Sequence, residues 1–241
     1  MKEFAIAQSW WQFLLIAVVC YFVGCFNFAL LISKLKHKDI TKMGSGNPGT
    51  MNMSREFGMG IGVLTFVCDA LKSGLPLLIC HLIYKDYVFA GTNVAVSDFI
   101  RYFCVLFVVL GHIYPVTMGF CGGKGIACTM GAFWFSLSCE NLWWILGGAG
   151  VAIFLVSFIK ITKWGSLGSL LGVSGCSVVQ MLLFLLRYAQ EPLNGYLVCL
   201  YLIILAINFL TWWAHRANLV RLFAGEEHKT GNRKKKEWKG T

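Results

Sequence analysis

The chain has 241 residues, of which 57% are hydrophobic and only 13% are charged, and its formal net charge is +10. A soluble domain typically carries about 25% charged residues, so this composition excludes an ordinary soluble protein and indicates a chain embedded in lipid. Anionic lipid on one leaflet or an anionic substrate would explain the surplus of basic residues. Nucleic acid is not expected as a partner, because the basic residues are scattered between apolar segments.

Seven apolar segments approach the length of about 20 residues that a membrane-spanning helix requires. They cover residues 10–33, 59–83, 100–118, 125–140, 142–160, 167–187 and 195–214. The fourth is short and contains glycine, and residues 139–141 barely separate it from the fifth. The first is too long for the apolar region of a cleavable signal, and no typical cleavage site follows it. The pattern predicts an all-α membrane protein with seven transmembrane helices.

The distribution of positive charge predicts how these helices are oriented. Most lysines and arginines lie in alternate linkers and in the C-terminal region, and few lie in the remaining linkers. Because basic linkers stay on the cytoplasmic side, we expect the N-terminus outside and the C-terminus in the cytoplasm. Residues 1–224 are predicted to form one transmembrane unit, and residues 225–241 a basic cytoplasmic tail that contacts anionic lipid.

Four polar, glycine-rich stretches fall on the predicted cytoplasmic side, at residues 43–56, 111–126, 161–170 and 215–230. Glycine allows positive φ angles and close backbone approach, so successive amides can converge on an anion. Full charges and neutral donors accompany the glycines, namely Arg55 and Lys124 with Ser45, Asn47, Asn52, Ser166 and Ser169. These groups indicate a phosphate-binding site. Alternatively, the glycines serve turns and helix packing and the basic residues only set the topology.

Three familiar motif spacings occur without the context that they need. Residues 44–49 have the G-x-G-x-x-G spacing but follow a membrane segment instead of a strand, and residues 122–125 resemble a P-loop but place Gly125 at the Ser/Thr position. His81 and Asp86 have the H-x-x-x-x-D spacing of one class of glycerolipid acyltransferases, but they lie at the outer end of the second segment. Histidines and carboxylates do not recur at ligand spacing, so neither a metal nor another cofactor is expected.

A few polar residues inside or beside the segments are further candidates for the site. Asp69 and Lys72 are three residues apart, so they share one helix face as an ion pair that orients the bundle or as support for the polar loops. His112 lies at the start of the second polar stretch and His215 at the start of the fourth, and either could act as a general base or donate to phosphate.

At these stretches the chain resembles the PlsY family, the bacterial acyl-phosphate:glycerol-3-phosphate acyltransferases. The matching runs are SGNPGTMN at 45–52 followed by Arg55, GHIYP at 111–115, FCGGKGIAC at 120–128, KWGSLGS at 163–169 and HRANLVRLFAGEEHK at 215–229. Asp69 and Lys72 also fit the family pattern. The resemblance covers about residues 10–230. The chain departs from the family at Thr50-Met51, which replace Ala-Thr, at Cys128, which replaces Thr, and at Ser73, which replaces Gly.

The resemblance implies that a fatty acyl group passes from acyl-phosphate to the 1-hydroxyl of glycerol 3-phosphate. The products would be lysophosphatidate and phosphate, in an early step of phospholipid synthesis. The enzyme would be a multi-pass protein of the bacterial inner membrane with its site facing the cytoplasm. An enzyme that supplies acyl-phosphate is a further expected partner.

The resemblance also assigns residues. His215 and Asn218 are expected to be catalytic, and the substrate-binding residues are expected to be Ser45, Gly46, Asn47, Asn52, Arg55, Gly122, Gly123, Lys124, Gly125 and Ser166. The amides of residues 122–125 with Lys124 would stabilise the leaving phosphate and the developing oxyanion. Either the substrate phosphate, or His215 with Asn218, would remove the proton, and the sequence leaves both open.

Two other functions fit parts of the pattern. Broken helices and charges at membrane depth would suit a transporter of a phosphorylated metabolite, but the polar clusters lie on one side only. A non-catalytic scaffold would use its basic face to bind anionic lipid, and it would not need Arg55 or Lys124.

Overall fold

The structure is a computed structural model that describes residues 1–227. Within that range the chain forms the helices α1 (Ile6–Cys25), α2 (Phe28–Leu35), α3 (Thr50–Phe57), α4 (Met59–Tyr84), α5 (Val96–Ile113), α6 (Ile126–Glu140), α7 (Trp144–Thr162), α8 (Gly165–Arg187), α9 (Gly195–Ala214) and α10 (Arg216–Phe223). Two short strands, β1 (Lys2–Phe4) and β2 (Tyr87–Phe89), pair in parallel. The predicted helical membrane fold is therefore confirmed, with a small sheet that the apolar pattern did not indicate.

Six helical segments of the described chain are long and apolar enough to cross a membrane. They are α1 with α2, α4, α5 with the turn that follows it, α7, α8 and α9. The fourth predicted segment corresponds to α6, which has only 15 residues. At 1.5 Å per residue α6 is about 22 Å long, which is less than the hydrocarbon thickness of about 30 Å. Length and composition thus identify six of the seven predicted segments.

Helix α6 lies inside the bundle and reaches from one end of it to the other. It packs against α4, α5, α7 and α8, and none of its residues is exposed. The backbones of α4 and α6 approach so closely that a Cβ on Gly131 would lie 2.5 Å from the Cα of Ala70. The helix begins beside Lys124, and its last residue, Glu140, bonds Arg101 and Arg187. We call these two ends of the bundle the Lys124 end and the Glu140 end.

Four charged side chains, of which only Arg187 is exposed, tie three helices together at the Glu140 end. We call Asp98, Arg101, Glu140 and Arg187 the ion cluster. Arg101 donates to both carboxylates and, at 2.9 Å, to the Ser136 carbonyl, and Arg187 Nη1 lies 2.7 Å from Asp98 Oδ2. Two cations and two anions compensate one another, which buried charges require. The cluster joins the start of α5, the end of α6 and the end of α8.

The first predicted segment is interrupted where the first glycine-rich loop attaches. Asn27 separates α1 from α2, and its side chain caps α2 by accepting from Leu30 N at 2.9 Å and donates to the Pro48 carbonyl at 3.3 Å. A broken helix leaves carbonyl groups without partners. Lys72 Nζ on α4 binds two of them, the carbonyls of Gly24 at 3.2 Å and Phe26 at 2.8 Å.

Candidate active site

The first glycine-rich loop is folded around the side chain of Asn52, which is 1% exposed. Its amide donates to the Met43 carbonyl at 2.9 Å, and its Oδ1 accepts from the Ser45 amide at 3.1 Å. Gly44 has a φ of +57°, and a Cβ there would lie 2.3 Å from Asn52 Oδ1, so glycine is required. These contacts use the polar atoms of Asn52 to shape the loop, whereas the sequence analysis assigned this side chain to the substrate.

Arg55 and Ser45 lie side by side above this loop. Arg55 Nη2 donates to Ser45 Oγ at 3.2 Å, and Ser45 is exposed while the neighbouring Gly46 and Asn47 are half-buried. Burial lowers the pKa of the Arg55 guanidinium, and the carboxylates of Glu56 and Glu227 oppose this effect. Arginine nevertheless stays charged at any physiological pH. The loop therefore presents one fixed cation with a hydroxyl beside it.

The second glycine-rich loop is attached to the end of α5 through its backbone. The amides of Gly122 and Gly123 donate to the carbonyls of Ile113 and His112, each at 3.0 Å. These two amides therefore already have backbone partners, and their expected donation to a leaving phosphate stays a prediction. The amides at the N-terminus of α6, which follows Gly125 at φ +79°, have no intrahelical partners and favour an anion.

His112 supports the loop from below and is 4% exposed. Lys72 Nζ lies 2.8 Å from His112 Nδ1, and because lysine can only donate, Nδ1 accepts and Nε2 carries the proton. Lys72 also pairs with Asp69 at 3.2 Å. A Cβ on Gly123 would lie 2.2 Å from His112 Nε2, so ring and loop are in direct contact. Asp69 and Lys72 thus form an ion pair that also supports the loop, and His112 is not placed as a base.

The same cluster has three groups that ligate metals elsewhere. The ligand atoms of Asp69, His112 and Cys128 all lie within 4.8 Å of one another. The Lys72 ammonium stands 3.2 Å from Asp69 and 2.8 Å from His112, so a positive charge is already supplied at this position. A divalent cation would meet that charge at contact distance, and the residues therefore do not fit a metal site.

Lys124 stands at the centre of the candidate site. Its ammonium donates to Asn218 Oδ1 on α10. Burial lowers the pKa of Lys124 to about 8, with Glu227 opposing this shift and the charges of Arg221 and Arg55 adding to it. Arg55 and Lys124 are therefore close enough to interact electrostatically, and the two cations singled out in the sequence lie at the same end of the bundle.

Ser166 and Asn218 both bind a residue that the sequence analysis did not select, Glu227. Ser166 Oγ and Asn218 Nδ2 donate to Glu227 Oε1, the latter at 2.8 Å, and Arg221 Nε lies 3.3 Å from Oε2. Burial raises the pKa of Glu227, but these hydrogen bonds and the charge of Arg221 outweigh it and leave the pKa below its usual value. In the sequence, the role of Glu227 was indicated only by its place within the matching run at residues 215–229.

His215 lies between α9 and α10 and is 3% exposed. Its Nδ1 lies 2.7 Å from the Thr211 carbonyl, so Nδ1 carries the proton and Nε2 is left as an acceptor. Burial, together with the charge of Lys124, lowers the pKa of His215 to about 4. The ring is therefore neutral at neutral pH and is a weak proton acceptor.

Most of the predicted site residues thus gather at the Lys124 end. Contacts link Lys124 to Asn218, Asn218 to Glu227 and Glu227 to Ser166, while Ser169 instead donates to its own helix, at the Gly165 carbonyl. The Lys124 end carries three cations, Arg55, Lys124 and Arg221, together with hydroxyl and amide donors and one helix N-terminus. Such a set of groups can bind two phosphate groups. The thiol of Cys128 is fully buried, so it is not placed as a nucleophile.

Comparisons with known proteins agree with this arrangement. Residues 14–225 match the family model described as glycerol-3-phosphate acyltransferase. A glycerol-3-phosphate acyltransferase from Clostridioides difficile (strain 630) is 33% identical over 230 residues, which cover 92% of this chain and 98% of the relative. The crystal structure of PlsY, an integral membrane glycerol 3-phosphate acyltransferase, in its glycerol 3-phosphate form is 30% identical, with a TM-score of 0.69 over 91% of this chain and 96% of that chain. The lysophosphatidic acid form gives a TM-score of 0.63, also at 30% identity, over 90% of this chain and 95% of that chain.

Proposed function

Because the chain belongs to the glycerol-3-phosphate acyltransferase family, we propose that it acylates the 1-hydroxyl of glycerol 3-phosphate. The donor is acyl-phosphate, and the products are lysophosphatidate and inorganic phosphate. The observation that carries this proposal is the convergence of Arg55, Lys124, Ser166, His215 and Asn218 from four separate stretches of chain. Two negatively charged reactants repel each other, so most of the catalysis lies in holding them together.

The two cations take different parts in this reaction. Arg55, with Ser45, Gly46 and Asn47 in the first loop, binds the phosphate of glycerol 3-phosphate, since a guanidinium can bind phosphate through two parallel hydrogen bonds. Lys124 and the N-terminal amides of α6 after Gly125 stabilise the leaving phosphate and the negative charge that develops on the carbonyl oxygen. Asn52, Gly122 and Gly123 act indirectly, because their polar atoms or backbones hold the two loops.

In the transfer itself, the substrate hydroxyl oxygen attacks the acyl carbonyl carbon and the carbon–oxygen bond to phosphate breaks. The hydroxyl proton must leave at the same time. The second ionisation of a phosphate monoester has a pKa of about 6, whereas the pKa of His215 is about 4. The substrate phosphate is therefore the stronger base of the two, and His215 Nε2 with Ser166 and Asn218 orients the glycerol moiety. An acyl-phosphate is already activated, so no nucleophilic serine or cysteine is needed.

The topology that accompanies this function is seven crossings, with the N-terminus outside and the site on the cytoplasmic face of a bacterial inner membrane. Basic linkers on the site side support this orientation. The course of α6 supports a seventh crossing. The two ends of the described chain give a second argument, because β1 pairs with β2 between α4 and α5, whereas Glu227 contacts Ser166 at the start of α8. An odd number of crossings puts the two termini on opposite sides. The predicted basic tail, residues 225–241, begins beside the site, because Glu227 contacts Ser166, and from residue 228 onward it lies outside the described residues. We expect this tail to bind anionic lipid.

A direct test uses the purified full chain in lipid nanodiscs with acyl-phosphate and radiolabelled glycerol 3-phosphate. Labelled lysophosphatidate is expected, and Lys124→Ala should reduce its rate by a factor of about 100 to 1,000, as the loss of one donor to a developing oxyanion does. Lys36→Ala, which removes an exposed lysine on the same side, is the matched control and should retain the wild-type rate. Acyl-CoA in a parallel reaction should give no product. Folded protein that forms no lysophosphatidate from acyl-phosphate would overturn the proposal.

A further inference from the structure

Glu227 contributes the one carboxylate that bonds directly to the side chains of the proposed site, within the described chain. We propose that Glu227 is a positioning residue for acyl transfer, which holds Ser166 and Asn218 and, through Asn218, fixes the ammonium of Lys124. This inference rests on the proposed function, because it assigns a role within that reaction. Glu227 itself need not touch either substrate.

The first argument is the geometry of the carboxylate. Ser166 at the start of α8 and Asn218 on α10 donate to the same oxygen, Oε1, while Arg221 Nε lies 3.3 Å from the other oxygen. The Glu227 side chain is only 6% exposed. Hydrogen bonds to a shielded carboxylate are stronger than those between neutral groups. Glu227 therefore fixes two proposed substrate-binding side chains that come from different helices.

The second argument is the direction of the Asn218 side chain. An amide group has one donating end and one accepting end. Asn218 Nδ2 points at Glu227 Oε1 at 2.8 Å, and this leaves Oδ1 to accept from Lys124 Nζ. In the reverse orientation the amide NH2 would face the ammonium and the amide oxygen would face the carboxylate. The carboxylate thus dictates which end of Asn218 meets Lys124.

The third argument is charge. The groups that act on Lys124 are Arg55 on α3, Arg221 on α10 and Glu227 beyond it, with His215 neutral beside them. Two of these are cations, and Lys124 is also half-buried, so both effects disfavour its protonated form. Glu227 is the anion that opposes them and keeps the pKa of Lys124 at about 8. Without this carboxylate, Lys124 would lose its proton at a lower pH.

A competing explanation is that Glu227 blocks the site. Its carboxylate occupies hydrogen-bond donors of Ser166 and Asn218 that a substrate phosphate could also use. In that case its removal would tighten the binding of glycerol 3-phosphate and leave the chemical step intact. In the positioning role, its removal slows the chemical step and changes the pH dependence. The two explanations therefore predict opposite results.

The experiment compares Glu227→Gln with Glu226→Gln in the full chain, with kcat and KM for glycerol 3-phosphate measured from pH 6 to 9.5. Glu226 is the matched control, since it is the preceding residue, has the same charge and is exposed. For Glu227→Gln we expect kcat to fall by about 10- to 100-fold, the scale of a small misplacement of catalytic groups. We also expect the alkaline limb of kcat/KM to move to lower pH. Glu226→Gln should match the wild type in both respects.

A lower KM with an unchanged kcat would overturn the proposal in favour of a blocking role. An alkaline limb that does not move, or equal losses in both variants, would also overturn it. If Glu227→Gln does not fold, Glu227→Asp is tested in its place, because it keeps the negative charge on a side chain that is one methylene shorter. A wild-type kcat in that variant would exclude the positioning role. A wild-type chain that makes no lysophosphatidate would instead contradict the proposed function, so the two failures are distinguishable.

Discussion

The Lys124 ammonium donates a hydrogen bond to the side-chain oxygen of Asn218, although the two residues are 94 positions apart in the chain. This contact joins the loop before α6 to the short helix α10 that follows the last long apolar helix. The glycine-rich loop alone would hold Lys124 only by its backbone. The cation is therefore placed by a partner that forms its contacts only when the whole bundle has assembled.

Arg55→Lys should raise KM for glycerol 3-phosphate by about tenfold, which corresponds to about 1.4 kcal/mol. A lysine retains the charge but cannot present the paired N–H groups of a guanidinium or reproduce its bond to Ser45. Steady-state kinetics with varied glycerol 3-phosphate measure the change. Arg216→Lys, an exposed change at the start of α10, is the control, and an equal rise in KM there would argue against a specific role for Arg55.

The pH dependence of kcat/KM should show an alkaline limb near the pKa of Lys124, which is about 8. The ammonium form binds the anion, so activity is present below this pKa and is lost as the pH rises through it. The kcat/KM profile reports the free enzyme, in which this value applies. The rate of lysophosphatidate formation, corrected for spontaneous hydrolysis of the donor, provides the measurement. A profile that stays level up to pH 9.5 would show that Lys124 does not need its charge.

His215 should contribute no acidic limb above about pH 5, because its pKa is about 4 and the ring is already neutral there. The acidic loss of activity should instead follow the ionisation of the phosphate monoester, near pH 6. His215→Gln keeps a hydrogen-bonding side chain and cannot titrate. Its kcat should fall while the position of the acidic limb stays unchanged, and a shifted limb would identify His215 as the titrating base.

Gly123→Ala should abolish most of the activity, since the new methyl group would lie 2.2 Å from His112 Nε2 and would push the loop away from α5. Gly150→Ala on α7 is the matched control, because no atom lies within 4 Å of its added Cβ. Alanine in a helix is more favourable than glycine by about 0.5–1 kcal/mol, so the control should be as stable as the wild type or slightly more so. Equal activity of the two variants would contradict the close contact.

Lys72→Met should lower the free energy of unfolding by about 3–5 kcal/mol, because Asp69 would remain buried without its partner. Two carbonyls at the break between α1 and α2 would also lose their donor. Unfolding of the purified protein in mild detergent measures the effect. Lys85→Met, at the exposed end of α4, should change stability little, and the double variant Asp69→Asn with Lys72→Met should recover part of the loss.

Apolar length predicted the helices well, because a chain in hydrocarbon must satisfy its backbone within each segment. The segment at residues 125–140 became α6, Ile126–Glu140, although its length alone would not identify a membrane span. The break at Asn27 was missed, since the apolar run continues through it and the contact of Asn27 with Pro48 joins residues that are distant in sequence. Strand pairing of Lys2–Phe4 with Tyr87–Phe89 was missed for the same reason, as partners distant in sequence leave no local pattern.

Within the candidate site, the sequence predicted the charges better than the roles of the neutral groups. Arg55 and Lys124 stood out as cations among glycines, and they do share one end of the bundle. Whether an amide faces a ligand or a neighbouring carbonyl depends on the folded loop, so the sequence could not show that Gly122 and Gly123 bind backbone carbonyls of α5. Glu227 was missed because a carboxylate in a polar segment, here with Glu226 before it, resembles any solvated charge.

Two of the departures from the family pattern turn out to be neighbours. Ser73 Oγ on α4 donates at 2.8 Å to the carbonyl of Cys128 in the first turn of α6. The Ser73 hydroxyl therefore bonds the backbone at Cys128, the other position at which the sequence analysis expected a departure from the family pattern. This bond joins α4 to the first turn of α6.

The ion cluster at the far terminus of α6 has a consequence for how the enzyme responds to its host membrane. Lys124 precedes a helix that has no exposed residue, and the last residue of this helix, Glu140, bonds Arg101 and Arg187. Stretching or thinning of the surrounding bilayer acts on the peripheral helices. The depth of Lys124 is instead set by α6 and by the bonds that hold this helix at Glu140. Turnover in vesicles made from shorter or longer phospholipids should therefore remain nearly constant until the bundle itself is disrupted.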